Sequence, residues 1–208
     1  MLIFLRHGLA FLATPKTGTT AVEMALRPKA EIIFAKGRKH VTAQRYRARV
    51  APFLQETYGA QTEPLAVMRD PVTQIRSWYR YRNAPRLEGS PLSTRGMSFD
   101  DYVLHVISDD PPSAAQIGSQ FQFLTSDTGE VLVDHLFAYE SQPDFRRFLA
   151  DRLGDDFEIK QRNVSPEVDA PLSPEVEAQL RSTRAAEFAL YDRLRSAGGY
   201  LHTPQPAG

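Results

Sequence analysis

Short apolar runs alternate with longer stretches of helix-forming composition along the first 80 or so positions of the chain. Residues 9–13 are an apolar run that stops at Thr14-Pro15, and past Gly18 residues 20–26 have helical composition up to Pro28. Residues 31–34 form a second apolar run. Thr42 is suited to cap, and Gly59 to stop, a helix over residues 42–58. Residues 65–68 predict the next strand, and Pro71 sits where a helix tolerates its missing N–H, opening a segment that continues to about Arg82 before Pro85. Three strand–helix units in succession predict a parallel sheet with helices on its faces.

The second half is looser, as expected of elaborations around such a sheet. Ser98 and Asp101 form a capping-box variant ahead of a helix to about Ile107. Residues 121–124 and 131–133 flank a turn at Asp127, Thr128 and Gly129, and residues 135–139 either prolong that unit or form another strand. Ser141 and Gly154 bound a further helix. Ser173-Pro174 opens a longer one reaching Ser196, with Leu180, Phe188, Tyr191 and Leu194 as its core stripe. The tail from His202 to Gly208 reads as a frayed end of one 208-residue domain.

Composition narrows the function classes. At 42% hydrophobic and 24% charged residues the chain matches globular averages, and its longest apolar runs are too short to cross a bilayer. There is no cysteine, which excludes a thiolate nucleophile and a Cys-based zinc site. No signal-peptide pattern is visible at the N-terminus, so a cytoplasmic location is expected, with no membrane partner. The net charge of zero hides an asymmetry: residues 27–95 carry +9 and residues 96–208 carry −10. A basic first half in a neutral chain points to a local site for a multiply charged anion rather than to nucleic acid.

Pro15, Lys16, Thr17, Gly18, Thr19 and Thr20 occupy the loop between the first strand and its helix. Exposed amides and the positive end of the helix dipole favour an anion there, Gly18 permits close backbone approach, and Lys16 adds charge. Lys16 precedes the only glycine, unlike the Walker A order, which argues against nucleoside triphosphatase chemistry. The second constellation is Arg69-Asp70-Pro71 with Ser77. Arg69 follows a predicted parallel strand, on the edge where ligands of open α/β sheets collect, and Ser77 lies two turns along the next helix.

These segments resemble the sulfotransferase family that uses 3'-phosphoadenosine 5'-phosphosulfate (PAPS). Residues 15–20 look like its 5'-phosphosulfate loop, and Arg69, Asp70, Pro71 and Ser77 like its 3'-phosphate motif. Gly37-Arg38-Lys39-His40-Val41-Thr42 resembles the His-containing segment of the carbohydrate-type branch, and residues 121–140 and Asn163-Val164-Ser165 are similar in character. The resemblance implies a P-loop NTPase-like three-layer α/β fold with a central parallel sheet. It also implies a metal-free transfer of a sulfuryl group from PAPS to the hydroxyl, or the amine, of a small-molecule or carbohydrate acceptor. In that reading Lys16 neutralises the bridging oxygen, residues 15–20 hold the 5' end, Arg69 and Ser77 hold the 3'-phosphate, and Arg162 closes over the nucleotide. His40 is the candidate general base, although it also reads as a surface histidine beside Arg38 and Lys39. Trp78, Tyr79 and Tyr81 frame an adenine or acceptor, or pack in a core. Glu140 reads as structural.

Two other classes remain open. Arg6-His7-Gly8 after an apolar run has the look of a histidine phosphatase, without a second His-Gly later in the chain. A nucleotide-binding protein without catalysis would keep the same anion loop.

Overall fold

Leu2–Phe4 (β1) and Leu9–Phe11 (β2) are buried at every position and joined by a single 3-10 turn, Leu5–His7, which Gly8 closes with a φ of 58°. A connection that short leaves an antiparallel hairpin as the only pairing. The computed structural model describes residues 1–154, 157 and 168–204. Within them the sheet runs in the order β3-β1-β2-β4-β5-β6, with β3 at Ile32–Ile33, β4 at Glu63–Met68, β5 at His135–Ala138 and β6 at Tyr200–His202. β2, β4 and β5 are mutually parallel neighbours, whereas β1 pairs antiparallel with both β2 and β3, and β6 antiparallel with β5. The sheet is therefore mixed, not the all-parallel sheet expected. The tight turn Leu5–His7 reverses the chain between β1 and β2, and Gly198 and Gly199 lead it from the last helix into β6 antiparallel to β5.

Alternation along the strands sends side chains to two faces. Leu2, Phe4, Leu9, Phe11, Leu65, Val67 and Phe137 pack on one side against Thr19–Leu26 (α1) and Gln142–Leu153 (α7). Ile3, Ala10, Leu12, Ala66, Met68, Leu136 and Ala138 pack on the other. There they meet Ala43–Arg45 (α2), a π-helical turn Tyr46–Val50, Ala51–Tyr58 (α3) and the later helix Ala185–Ser196 (α9). The result is an α/β fold of three layers. A third cluster joins Pro71–Arg82 (α4), Phe99–Val106 (α5) and Pro174–Thr183 (α8). No helix among the described residues is long and apolar enough to cross a membrane.

Three local expectations change. Residues 121–124 are not a strand: Gln120–Leu124 (α6) is a short helix capped by Ser119, and it buries Gln120, Phe123 and Leu124 at helical spacing. The turn at residues 127–129 is closed by the isolated bridge between Thr125 and Val131 and by hydrogen bonds from Ser126 N to the Glu130 carbonyl and from Leu132 N to the Leu124 carbonyl. The long helix over 174–196 breaks at Arg184, whose φ of −108° and ψ of 33° leave the helical region. His202 belongs to β6 rather than to a frayed end.

Candidate functional site

Parallel strands share one polarity, so the carboxyl ends of β2, β4 and β5 lie along one edge of the sheet. That edge gathers the loop 12–18, then Arg69-Asp70, then Tyr139-Glu140, in the position where open α/β sheets hold ligands. The loop turns through two left-handed residues, Gly18 at φ 74° and Lys16 at φ 66°. Lys16 adopts this conformation without a glycine's freedom, a local cost of about 1 kcal/mol. At Gly18 no side chain fits easily, since a Cβ would stand 3.2 Å from Tyr139 Cε2. The helix that follows, α1, has no side-chain cap and no acidic residue in its first turn. Its N-terminal amides and dipole are left facing the loop.

The loop is tied to its neighbours. Thr17 Oγ1 donates to the Thr14 carbonyl at 2.9 Å, and Gln74 Nε2 of α4 donates to the Pro15 carbonyl at 3.3 Å. Thr17 and Thr19 are buried, and the Thr17 hydroxyl proton is already engaged; Thr17 therefore faces a ligand with its backbone, while Thr20 is half-buried. Thr14 Oγ1 is buried without a partner.

Lys16 reaches toward α4, its Nζ 4.1 Å from the Tyr81 ring centroid and 5.5 Å from that of Trp78. Burial, and after it the positive charges of Arg69 and Arg86, lower its pKa from 10.5 to about 8. Arg69 extends from the end of β4 with its guanidinium 4.6 Å from the Tyr139 ring and its Nε donating to Thr73 Oγ1 at 3.0 Å. Asp70 caps α4 by accepting the Thr73 amide at 2.8 Å. Ser77, half-buried, lies one turn beyond Thr73 and Gln74 on the same helix face.

His40 is brought to this edge. Its Nδ1 lies 2.6 Å from the carbonyl oxygen of Ala13, one residue before Thr14. A carbonyl only accepts, so Nδ1 carries the proton and Nε2 keeps its lone pair in the neutral ring. His40 is exposed as a residue, but the partial burial of its ring lowers its pKa, opposed by this bond.

The structure thus brings together Pro15, Lys16, Thr17, Gly18, Thr19, Thr20, His40, Arg69 and Ser77. Arg162 and residues 163–165 lie outside the described residues. His7 stands at the opposite edge, in the β1–β2 turn, where Arg152 Nε donates to its carbonyl at 3.1 Å and Arg6 faces Glu31 at 3.4 Å. Of the three aromatic residues of α4, Tyr79 packs in the core against Phe99 and Tyr102, while Trp78 and Tyr81 face Lys16. Glu140 accepts from Tyr191 Oη at 2.8 Å and weakly from the Asp70 amide at 3.4 Å, in keeping with its structural reading.

Tyr139 and Gln120 are the members of the site that sequence reasoning missed. Tyr139 follows β5 directly and could have been found from the parallel-strand edge. Gln120 carries no signal, because it acts from 51 residues away through both backbone groups of Arg69. Two hollows lie away from Lys16 and Arg69, about 370 Å³ beside Arg95, Met97, Leu104 and His105 and about 530 Å³ beside Thr42, Gln44, Arg45 and Arg49. The chemistry of the cation-bearing edge outweighs both as a guide to function. The chain matches no protein-family model, no curated protein and no solved structure.

Proposed function

We propose that the chain is a sulfotransferase of the P-loop-like three-layer class, moving a sulfuryl group from PAPS to an acceptor hydroxyl. The observation that carries this reading is the convergence of Lys16 and Arg69 from the ends of adjacent parallel strands, where neither is paired with a carboxylate among the described residues. Two uncompensated cations beside an uncapped helix end are costly without an anion between them. A ligand with two separate anionic groups matches a loop on β2 and an arginine on β4.

PAPS supplies a sulfuryl group bonded to a phosphate leaving group. The amides of residues 17–20 are suited to the 5' end, with Lys16 positioned to neutralise charge on the bridging oxygen. Arg69 and Ser77 share the face suited to the 3'-phosphate, where a fork of guanidinium donors fits two oxygens. His40 Nε2 takes the proton of the attacking hydroxyl, as Nδ1 is held by Ala13. In the transfer a bond forms from acceptor oxygen to sulfur, the bond from sulfur to the bridging oxygen breaks, and the proton passes to His40.

Calorimetric titration with 3'-phosphoadenosine 5'-phosphate (PAP), AMP and ATP tests the reading on wild type and Arg69→Ala. Micromolar PAP binding that requires both the 3'-phosphate and Arg69 is expected. Equal affinity for AMP or ATP would sink the proposal. Turnover of PAPS with an acceptor separates an enzyme from a protein that only binds nucleotide.

A further inference from the structure

Tyr81, on the last turn of α4, is 40% exposed and carries two cations. Lys16 Nζ lies 4.1 Å and the Arg86 guanidinium carbon 4.5 Å from its ring centroid. Sharing one ring bounds the separation of the two charges by the sum of those distances. Whatever reacts beside Lys16 is therefore within the span of a small molecule from Arg86.

The other arginines of this stretch are committed. Arg76 and Arg80 donate to the carbonyls of Ala170 and Val168 at 3.1 Å each, and Arg82 to that of Ser113 at 2.7 Å. Arg95 is paired with Glu88 at 2.6 Å. Arg86, exposed in the 3-10 turn Pro85–Leu87, rests on the Tyr81 ring and has no side-chain hydrogen bond or ion pair among the described residues. A guanidinium stacked on a ring keeps its edge N–H groups free, in the fork that receives a carboxylate. Arg69 rests on a different ring, Tyr139, so the two arginines do not share a platform, although both act on Lys16 through their charge.

We infer that Arg86 and Tyr81 form the acceptor subsite, and that the acceptor carries an anionic group of its own beside the hydroxyl that is sulfated. This inference rests on the sulfotransferase reading and names its substrate class.

The test uses two matched pairs of acceptors differing only in charge: methyl β-D-glucuronide against its uncharged amide, and 4-hydroxybenzoate against 4-hydroxybenzamide. kcat/KM with PAPS is measured for wild type and Arg86→Gln, and PAP affinity by calorimetry for both. Wild type is expected to prefer the acid of at least one pair by about tenfold, the variant to bring that ratio near unity, and PAP affinity to stay within about twofold. Equal use of acid and amide by wild type overturns the inference, as do an unchanged preference in Arg86→Gln and turnover of none of the four. A fall in PAP affinity matching the fall in turnover would assign Arg86 to the donor and overturn it too. Absence of PAP binding by wild type is the separate outcome that removes the sulfotransferase reading, and this inference with it.

Discussion

The side-chain amide of Gln120 closes both backbone hydrogen bonds of Arg69. The Arg69 N–H donates to Gln120 Oε1 and Gln120 Nε2 donates to the Arg69 carbonyl, each at 2.9 Å. The pair imitates one rung of a sheet ladder just past the end of β4, where no strand is present to supply it. Glu187, 2% exposed, sets which way the amide faces, since its Oε1 accepts from Gln120 N at 3.0 Å and from Nε2 at 3.3 Å. Its other oxygen accepts from Ser119 Oγ and pairs with Arg184.

Removing that clamp should separate positioning from bulk stability. Gln120→Ala leaves the Arg69 peptide without its partners and is expected to cost about 1–3 kcal/mol of stability. At a temperature where the variant remains folded, PAP affinity should fall about tenfold while AMP affinity barely moves, because only the 3'-phosphate depends on Arg69. Calorimetry with both nucleotides reads the ratio. A ratio equal to that of wild type would reduce Gln120 to a structural residue.

Lys16 should trade stability for function. Its pKa falls from 10.5 to about 8 on folding, so the unfolded chain binds the proton more tightly between those values. The folded state therefore loses stability as pH falls through that window, and carries the full cost of the charge below it. Lys16→Met keeps a non-glycine residue in the same left-handed backbone, so strain cancels in the comparison. The variant is expected to melt higher than wild type at pH 7, with the gap closing toward pH 10.5, and to lose transfer activity. Thermal melts across pH 7 to 10.5 check this. Addition of PAP should narrow the gap by stabilising wild type alone.

His40 should govern rate rather than donor affinity. With its pKa below 6.5, the neutral base is in place at pH 7, so kcat/KM should rise with pH on the acid side through His40, and fall again on the alkaline side as Lys16 loses its proton near pH 8. His40→Gln should lose that acid limb and reduce turnover about 100-fold or more, with PAP affinity preserved. A pH–rate profile of the variant that still shows the limb would transfer the base role to another group.

The outline of this edge was legible because its signals are local. Gly18 before α1, Asp70-Pro71 opening α4, Thr42 and Ser98 as caps, and the left-handed Gly59 each act within one turn, and each stands where the pattern placed it. The direction of strands was not local. Nothing in Leu2–Phe4 says which neighbour it pairs with; three residues of turn decided that. Gln120 escaped for the same reason, since a polar residue inside an apolar-aromatic segment carries no trace of a partner 51 residues earlier. Nor was it legible that the hydroxyl of Thr17, in the loop expected to hold an anion, turns inward to the Thr14 carbonyl, a preference of small polar residues in tight turns.

The opposite edge of the sheet should set the acid limit of stability. At the amino ends of β4 and β5, His135 lies between Glu63 Oε2, 3.0 Å from its Nε2, and Tyr200 Oη, 2.8 Å from its Nδ1, while Arg152 pairs with the same Glu63 oxygen. Burial lowers the His135 pKa below 6.5, outweighing the pull of Glu63 in the other direction. Burial also pushes the Glu63 carboxyl upward, but its bonds to His135 and Arg152 prevail and hold it below 4.5. Both groups thus bind protons more readily in the unfolded chain, and both make stability fall as pH falls, His135 from 6.5 downward and Glu63 from 4.5 downward. Urea denaturation of wild type should show the first decline between pH 7 and 5 and the second below 4.5. His135→Gln should lessen the first decline, leaving the share that His40 contributes in the same window, and keep the second, because Arg152 still holds Glu63. A variant whose stability falls as steeply as wild type between pH 7 and 5 would show that other groups carry the acid sensitivity. Because this cluster and His40 sit at opposite ends of the strands, His135→Gln should change the acid loss of stability while leaving the acid limb of activity in place.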